Sequence, residues 1–176
     1  YYFGFEQQEV EPDIVVLGKP IGNGHPIGVV ITSNEIAESF AQGPEFFSTF
    51  GGSTLSCLIG KEVLEIIDEE KLQENADLMG KKLLGGLNEL QDSFPQIGDV
   101  RGMGLFCGVD LVKNRKTREE DPDLCSYIKN RMRDHRILMG SEGPKDNVLK
   151  IRPPLTIDEE GIDMILSCLQ KIMQEI

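Results

Sequence analysis

The sequence has 176 residues, 39% of them hydrophobic and 27% charged, a composition typical of one ordinary globular domain or slightly more. Its 18 basic and 30 acidic residues leave a net charge of −12, which disfavours nucleic acid and anionic membranes as partners because both repel an acidic protein. No segment approaches the roughly 20 apolar residues that cross a membrane, and the amino-terminal residues lack the features of a signal peptide. We therefore expect a soluble, cytoplasmic protein.

The cysteines stand far apart, without a Cys-x-x-Cys pair. This spacing excludes a zinc ribbon and a dithiol redox motif, so we expect free thiols and no metal site. The chain begins at Tyr1 rather than Met and reaches a strand pattern almost at once, so we expect it to be a piece of a longer protein. The four cysteines are Cys57, Cys107, Cys125 and Cys168.

Two short apolar runs flank a loop rich in glycine and proline. Residues 14–17 (IVVL) and 28–31 (GVVI) predict strands, and the first is typical of a strand buried on both faces. The residues between them, 18–26, hold three glycines and two prolines. They predict a tight, irregular loop.

Helices dominate the next part of the chain. Thr32 and Glu35 have the spacing of a capping box and predict a short helix, followed by a loop over residues 42–52. Apolar residues at helical spacing then predict two long helices. The first has Leu55, Leu58, Ile59, Val63 and Ile66, and the second has Leu72, Ala76, Met79, Leu83, Leu87 and Leu90.

From residue 94 the pattern changes to a mixture of strands and helices, and we place a domain boundary there. Alternation over residues 105–109 predicts a strand, and residues 137–139 and 148–151 predict two more. Thr156 and Glu159 predict the start of a terminal helix. Helical spacing is seen at Leu124, Tyr127, Ile128 and Met132, and again at Ile162, Ile165, Leu166, Leu169, Ile172 and Met173.

Lys19 follows the first predicted strand and lies near the start of the glycine-rich loop. A lysine amine that is partly removed from water stays neutral and nucleophilic, the state that forms a Schiff base with an aldehyde. The alternative is a surface lysine that keeps its charge in water. The loop fits no nucleotide motif, because Pro20 follows the lysine where a P-loop has Ser or Thr. The glycine spacing over residues 22–28 is also one residue too long for a dinucleotide fingerprint.

Four segments of the chain carry longer motifs: PDIVVLGKPIGNGHP at 12–26, FFSTFGG at 46–52, DVRGMGL at 99–105 and NVLKIRPP at 147–154. In this order they resemble the class III aminotransferases, enzymes of fold type I that use pyridoxal 5′-phosphate. The resemblance implies an α/β fold. Residues 1–93 would form the carboxyl-terminal part of the cofactor-binding large domain, and residues 94–176 a small α+β carboxyl-terminal domain.

The resemblance also implies roles for individual residues. Lys19 would bind pyridoxal 5′-phosphate as a Schiff base, be displaced by the substrate amine, and then move a proton between the substrate carbon and the cofactor. Thr49 matches the threonine whose hydroxyl donates a hydrogen bond to the cofactor phosphate of the neighbouring subunit, which implies a homodimer. His25 would lie near the cofactor or bond to the loop backbone, and both possibilities stay open. Arg101 matches a family arginine that we expect to fasten the entry of a strand.

Lys150 stands where many amino-acid-specific members carry an arginine that binds the substrate carboxylate. Lysine lacks the planar fork that makes this contact bidentate. The sequence around it resembles the branch that includes ethanolamine-phosphate and phosphohydroxylysine phospho-lyases. Two interpretations stay open: Lys150 binds substrate, or it is a strand residue that faces solvent or an acidic neighbour.

The expected function is therefore amino transfer from a small-molecule amine or amino acid to a keto acid. One alternative is a phospho-lyase that acts on a phosphorylated amine, and another is a non-catalytic acidic α/β interaction domain. The family's phosphate-binding glycine-serine loop, its ring-stacking aromatic residue and its pyridine-pairing aspartate are not identifiable in this sequence. Because that aspartate maintains the cofactor as an electron sink, we expect residues 1–176 alone to be inactive.

Overall fold

The structure, a computed structural model, describes all 176 residues, Tyr1–Ile176. They form two compact units, Tyr1–Gln73 and Glu74–Ile176. Each unit combines helices with an antiparallel sheet. None of the helices has both the length and the apolar character that crossing a bilayer requires.

The first unit is built on a two-stranded sheet, in which Ile14 pairs with Thr32 and Leu17 pairs with Val29. Both strands lie where the sequence predicts them, and the loop between them contains one 3-10 turn. In chain order the elements are a 3-10 turn (Gly4–Gln8), β1 (Ile14–Leu17), the second 3-10 turn (Lys19–Gly22), β2 (Val29–Thr32), α1 (Asn34–Ala41) and α2 (Thr54–Glu69).

The first unit leaves its predicted apolar core exposed. The prediction that β1 is buried on both faces is wrong: Val16 is 73% exposed, because the sheet has only two strands and nothing in the unit covers them. The apolar stripe of α2 is also open, with Leu55 65% exposed and Leu58 59% exposed. The buried residues of this unit are Gly22, Gly60 and Leu72.

The second unit contains the hydrophobic core. Its sheet has the order β3-β4-β7-β6, and β5 pairs with the end of β4. One face of the sheet packs against three helices, whose predicted apolar stripes are confirmed except at Tyr127, which is 42% exposed. The elements are α3 (Leu72–Ser93), β3 (Ile97–Met103), β4 (Phe106–Asn114), β5 (Glu119–Glu120), α4 (Pro122–Asp134), β6 (Gly140–Glu142), β7 (Val148–Ile151) and α5 (Glu159–Met173).

Burial of large side chains explains why this unit is well packed. Each fully buried leucine or isoleucine stabilises the fold by about 1.5–3 kcal/mol. Each of the three helices and each of the three longest strands of the unit contributes at least one such side chain. The core therefore joins all six elements through apolar contacts. Examples are Leu83 and Leu87 of α3, Ile97 of β3, Leu111 of β4, Ile128 of α4, Leu149 of β7, and Ile162 and Leu169 of α5.

The compact units divide the chain between Gln73 and Glu74, in the first turn of α3, whereas the sequence places a domain boundary after this helix, at residue 94. The difference arises because Met79, Leu83 and Leu87 of α3 belong to the core of the second unit. The assignment of residues 1–93 and 94–176 to a large and a small domain stays a prediction.

Two predicted helix starts are wrong by one or two residues. Thr32 does not cap α1, because it is still paired in β2; Ser33 is the cap, and its Oγ accepts a hydrogen bond from the Ile36 N–H at 3.4 Å. Thr156 does not cap α5 either. Asp158 does so, since its Oδ1 accepts from the Gly161 N–H at 2.9 Å.

The strand predicted over residues 137–139 lies instead at Gly140–Glu142. The preceding residues still close the end of α4, where the Ile137 N–H donates to the Met132 carbonyl at 3.0 Å. Strand β3 (Ile97–Met103) was not predicted. Its two glycines and the charged Asp99 and Arg101 interrupt the apolar alternation by which strands are recognised.

All four cysteines are free. Burial raises the pKa of the Cys107 thiol to about 11 and has the same effect on Cys125. These two thiols therefore stay protonated at neutral pH and act as small apolar core residues.

Gly80 and Gly85, both on α3, allow a matched test of packing in the second unit. A Cβ at Gly80 would lie 2.4 Å from the carbonyl carbon and oxygen of Gly104, whereas a Cβ at Gly85 would meet nothing within 4 Å. We expect Gly80→Ala to lower the free energy of unfolding by about 2 kcal/mol or more, because rigid backbone must move. Gly85→Ala should raise it by about 0.5–1 kcal/mol through helix propensity.

Urea denaturation followed by circular dichroism measures the free energy of unfolding of both variants. If Gly80→Ala proved as stable as Gly85→Ala, the close approach of α3 to the turn between β3 and β4 would be wrong.

Candidate active site

Lys19 opens the 3-10 turn that directly follows β1, and its backbone has a φ of 43°. A residue with a side chain pays roughly 1–2 kcal/mol for this left-handed conformation. Hydrogen bonds later in the loop stabilise it: the Asn23 N–H donates to the Pro20 carbonyl at 3.0 Å, and the His25 N–H donates to the Gly22 carbonyl at 2.9 Å. The turn therefore has a defined shape despite its glycines.

The side chain of Lys19 is exposed, and its amine is in none of the ion pairs or side-chain hydrogen bonds of the structure. The expected partial desolvation of this amine is therefore absent here, because β1 and the turn are themselves uncovered. No carboxylate forms an ion pair with the amine of Lys19.

The lysine turn packs on the middle of α2. A Cβ at Gly60 would lie 3.4 Å from Cδ1 of Ile27 and 3.9 Å from Cγ1 of Ile21, and a Cβ at Gly22 would lie 2.6 Å from Cγ2 of Ile27. Glycine at both positions lets the turn and the helix approach closely. This contact was not predicted from the sequence, although a glycine within a helical pattern is a known signal of close packing.

His25 joins the same turn to the first part of α2. Its Nε2 is hydrogen-bonded to Oγ of Ser56 at 2.9 Å, and both residues are half-buried. The imidazole is thus bonded to a side chain of α2 and not to the loop backbone, one of the two possibilities that the sequence left open. This pair was not predicted.

Thr49 lies on the exposed loop that leads into α2. The loop is ordered by its neighbours: Ser48 Oγ accepts from the Gly51 N–H at 3.0 Å, and Ser53 caps α2. Lys19 and Thr49 therefore lie on two loops of the first unit that both adjoin α2. A cleft of about 850 Å³ is lined by the segments around His25, Phe50 and Ser56, and neither Lys19 nor Thr49 is among its lining residues.

Lys150 lies on β7 in the second unit. Its amine donates a hydrogen bond to the Glu142 carboxylate on the neighbouring strand. This ion pair lowers the pKa of Glu142, mainly through that hydrogen bond and then through the charge of Lys150. Of the two open interpretations, an acidic neighbour is thus present, and substrate binding by Lys150 stays a prediction.

The sheet register also places Arg101 in the same row as Lys150. Arg101 pairs with Gly108, and Gly108 pairs with Lys150, so both cationic side chains leave the same face with only a glycine between them. A groove of about 460 Å³ on this face is lined by both. Arg101 lies inside β3 and not at the entry of a strand, and it donates to Asp99 of the same strand at 2.7 Å. The structural role expected of it stays a prediction.

Comparison with known proteins identifies the family. Residues 1–173 match the family described as aminotransferase class-III. The chain belongs to the class III aminotransferases. This confirms the resemblance, and with it the α/β fold of pyridoxal-phosphate-dependent transferases and the family cofactor, pyridoxal 5′-phosphate.

Individual relatives carry two kinds of name. A Drosophila melanogaster protein named alanine–glyoxylate aminotransferase 2-like is 46% identical over 99% of this chain and 37% of its own length. A Caenorhabditis elegans protein named ethanolamine-phosphate phospho-lyase homolog 1 is 40% identical over 92% of this chain and 35% of its own length.

Among solved structures, a phospholyase from Arthrobacter in complex with phosphoethanolamine matches with a TM-score of 0.95 and 38% identity. The match covers 99% of this chain and 41% of the Arthrobacter chain. This chain therefore spans less than half the length of the proteins that it matches.

The residues around Lys19 fit the family cofactor. A covalent bond to an aldehyde requires an amine that no carboxylate holds, and Lys19 meets this condition. A Cβ built at Gly18 or Gly24 meets nothing within 4 Å, so the space beside these two glycines of the turn is open.

The contact between Lys150 and Glu142 can be tested by titration. Lys150→Gln should raise the pKa of Glu142 toward its ordinary value of 4.5, because the substitution removes the charge that favours the ionised carboxylate. The stabilisation from the pair is present above the ordinary carboxyl pKa and is lost as the pH falls through the lowered one. The variant's stability should thus differ from that of the wild type at neutral pH and converge with it at acidic pH.

Carboxyl-detected NMR titration measures the pKa of Glu142 in each variant. Lys145→Gln is the control, because Lys145 is an exposed lysine that has no ion pair. An unchanged pKa in Lys150→Gln would mean that Lys150 is free to bind a substrate anion.

Proposed function

We propose that this chain carries the cofactor lysine of a pyridoxal-phosphate enzyme that transfers an amino group from an amine or amino acid to a keto acid. The observation that supports this most strongly is the position of Lys19 in the segment PDIVVLGKPIGNGHP, on a turn that a hydrogen bond fastens to α2. Membership of the class III aminotransferase family supports it as well.

Lys19 has two tasks in this proposal. Its Nζ would hold the cofactor covalently through the cofactor's aldehyde carbon. When the substrate amine takes that place, Nζ would move a proton between the substrate carbon and the cofactor, as a general base and then as a general acid. The bound cofactor supplies the electron sink that makes this carbon acidic. No carboxylate binds the Lys19 amine, so no ion pair has to break before it performs either task.

We also propose a homodimer in the cytoplasm, in which the hydroxyl of Thr49 donates a hydrogen bond to the cofactor phosphate of the partner subunit. Thr49 is exposed and its hydroxyl makes no hydrogen bond within the chain. The uncovered apolar side chains of the first unit support its association with further protein surface, since patches of this kind mark interfaces. Examples are Val16, Phe47, Phe50 and Leu55.

Residues 1–176 alone should not turn over substrate.

The covalent role of Lys19 can be tested in the full natural polypeptide that carries residues 1–176. With pyridoxal 5′-phosphate added, we expect a visible absorbance band that Lys19→Ala abolishes. Borohydride reduction and peptide mass spectrometry should then find the cofactor on Lys19 alone. Lys61→Ala, an exposed lysine of α2, is the matched control and should keep the band.

A label on another lysine would refute the assignment of Lys19. Absence of any label would favour the alternative of a non-catalytic acidic interaction domain.

A phospho-lyase is the second candidate function. Two observations favour it. Lys150 stands where many amino-acid-specific members of the family carry an arginine. The Arthrobacter phospholyase also shares this fold with a TM-score of 0.95. A lysine binds phosphate as a point charge, whereas a bidentate carboxylate contact needs arginine. In this reaction a phosphorylated amine and water yield an aldehyde, ammonia and inorganic phosphate.

Product analysis distinguishes the two reactions. The proposed transaminase consumes alanine only when a keto acid such as glyoxylate is present, and it releases no phosphate. The lyase releases phosphate from phosphoethanolamine in equal amount to ammonia, without a keto acid. We expect the first pattern, and phosphate release independent of keto acid would establish the second candidate instead.

A further inference from the structure

The hydrogen bond between His25 and Ser56 is the one side-chain hydrogen bond made by any residue from Gly18 to Gly28. Beside this bond, the apolar side chains of Ile21 and Ile27 approach Gly60 of α2. Apolar contacts are non-directional, so they hold the turn against the helix without fixing where it lies along it. A hydrogen bond between two half-buried side chains does fix that position.

The segment from Lys19 to Gly24 needs such a restraint because three of its residues have left-handed backbones. The φ angles are 43° at Lys19, 43° at Asn23 and 103° at Gly24. Residues with side chains persist in this region only where the surrounding structure holds them. Three backbone hydrogen bonds act between Gly18 and His25, and the side-chain bond from His25 attaches the segment to the longest helix of the first unit.

We infer that His25 is a positioning residue, which through its hydrogen bond to Ser56 fixes the lysine turn on α2 and so sets the location of the Lys19 amine. The inference rests on the proposed covalent role of Lys19 and extends it. His25 does not touch the reacting atoms in this role. Without the bond between His25 and Ser56, the turn can shift along α2. The Lys19 amine is then in the reactive geometry for a smaller fraction of the time.

Kinetics of the full natural polypeptide provide the first test. His25→Leu and Ser56→Ala should each lower kcat by about tenfold or more while KM changes less than about threefold, because a displaced reacting group loses orientation without losing substrate binding. The double variant should be no slower than the slower single variant, since both remove one bond. His25→Gln should recover most of the rate, because its amide nitrogen can reach the position of Nε2.

Ser39→Ala, an exposed serine on α1, is the matched control and should keep the wild-type kcat. Ser56→Ala should also fold normally, because the cap of α2 uses the backbone N–H of Ser56 and not its hydroxyl. A circular dichroism melt of each variant checks this.

A second readout needs no cofactor. In the apoprotein, the amides of Asn23 and His25 close the loop by donating to Pro20 and Gly22. Their hydrogen exchange should be about two- to tenfold faster in Ser56→Ala, the factor that the usual net contribution of one hydrogen bond produces. Amides of α5 in the second unit should be unaffected.

The outcomes separate this inference from the proposed function. If borohydride labels Lys19 in every variant, but kcat and exchange match Ser39→Ala, His25 has no positioning role and the covalent role of Lys19 stands. If Lys19 is never labelled, the proposed function fails, and the exchange experiment still decides whether His25 holds the turn. Slow kcat that His25→Gln does not recover would also overturn the inference.

Discussion

The close approach of the lysine turn to α2 is the constraint on which the candidate active site depends. Gly22 and Gly60 leave a space between the turn and the helix, and Ile27 fills it. No larger residue fits at Gly22 unless Ile27 moves. Because the turn is seated in this way, Lys19 follows β1 in a left-handed conformation and His25 reaches the first part of α2. The loop of Thr49 leads into the same helix, so α2 is the common support of both predicted cofactor residues.

The two units differ in how they are stabilised. The second unit buries a continuous core drawn from three helices and a sheet, which supplies most of the hydrophobic stabilisation of the chain. The first unit buries two glycines and Leu72 and depends on turns, caps and a few close contacts. The residues with proposed chemistry, Lys19 and Thr49, belong to this less covered unit. Segments with few buried apolar contacts open at low free-energy cost, so directional bonds such as that of His25 matter more there than in the core.

Much of the fold could be predicted from residue patterns alone. The long helices α2 and α3 and the strands β1 and β7 lie where apolar periodicity predicts them. Helix caps were less predictable, because Thr32 and Ser33 can both cap a helix and the pairing of Thr32 in β2 leaves this position to Ser33. Strand β3 was missed since glycine and charged residues interrupt its alternation. The burial of β1 was predicted wrongly, because apolar character shows that a residue favours burial but not that this chain provides a cover.

For the candidate site, the sequence by itself determined the family and the cofactor class and predicted Lys19 as the cofactor lysine, because these depend on motifs in which neighbouring residues act together. Only the tertiary structure decided which distant residues meet: Gly60 with Ile27, Ser56 with His25, and Glu142 with Lys150. These contacts join residues that are far apart in the chain, and periodicity carries no information about such pairs. Chain folding creates them through the packing of a turn on a helix and the register of two strands.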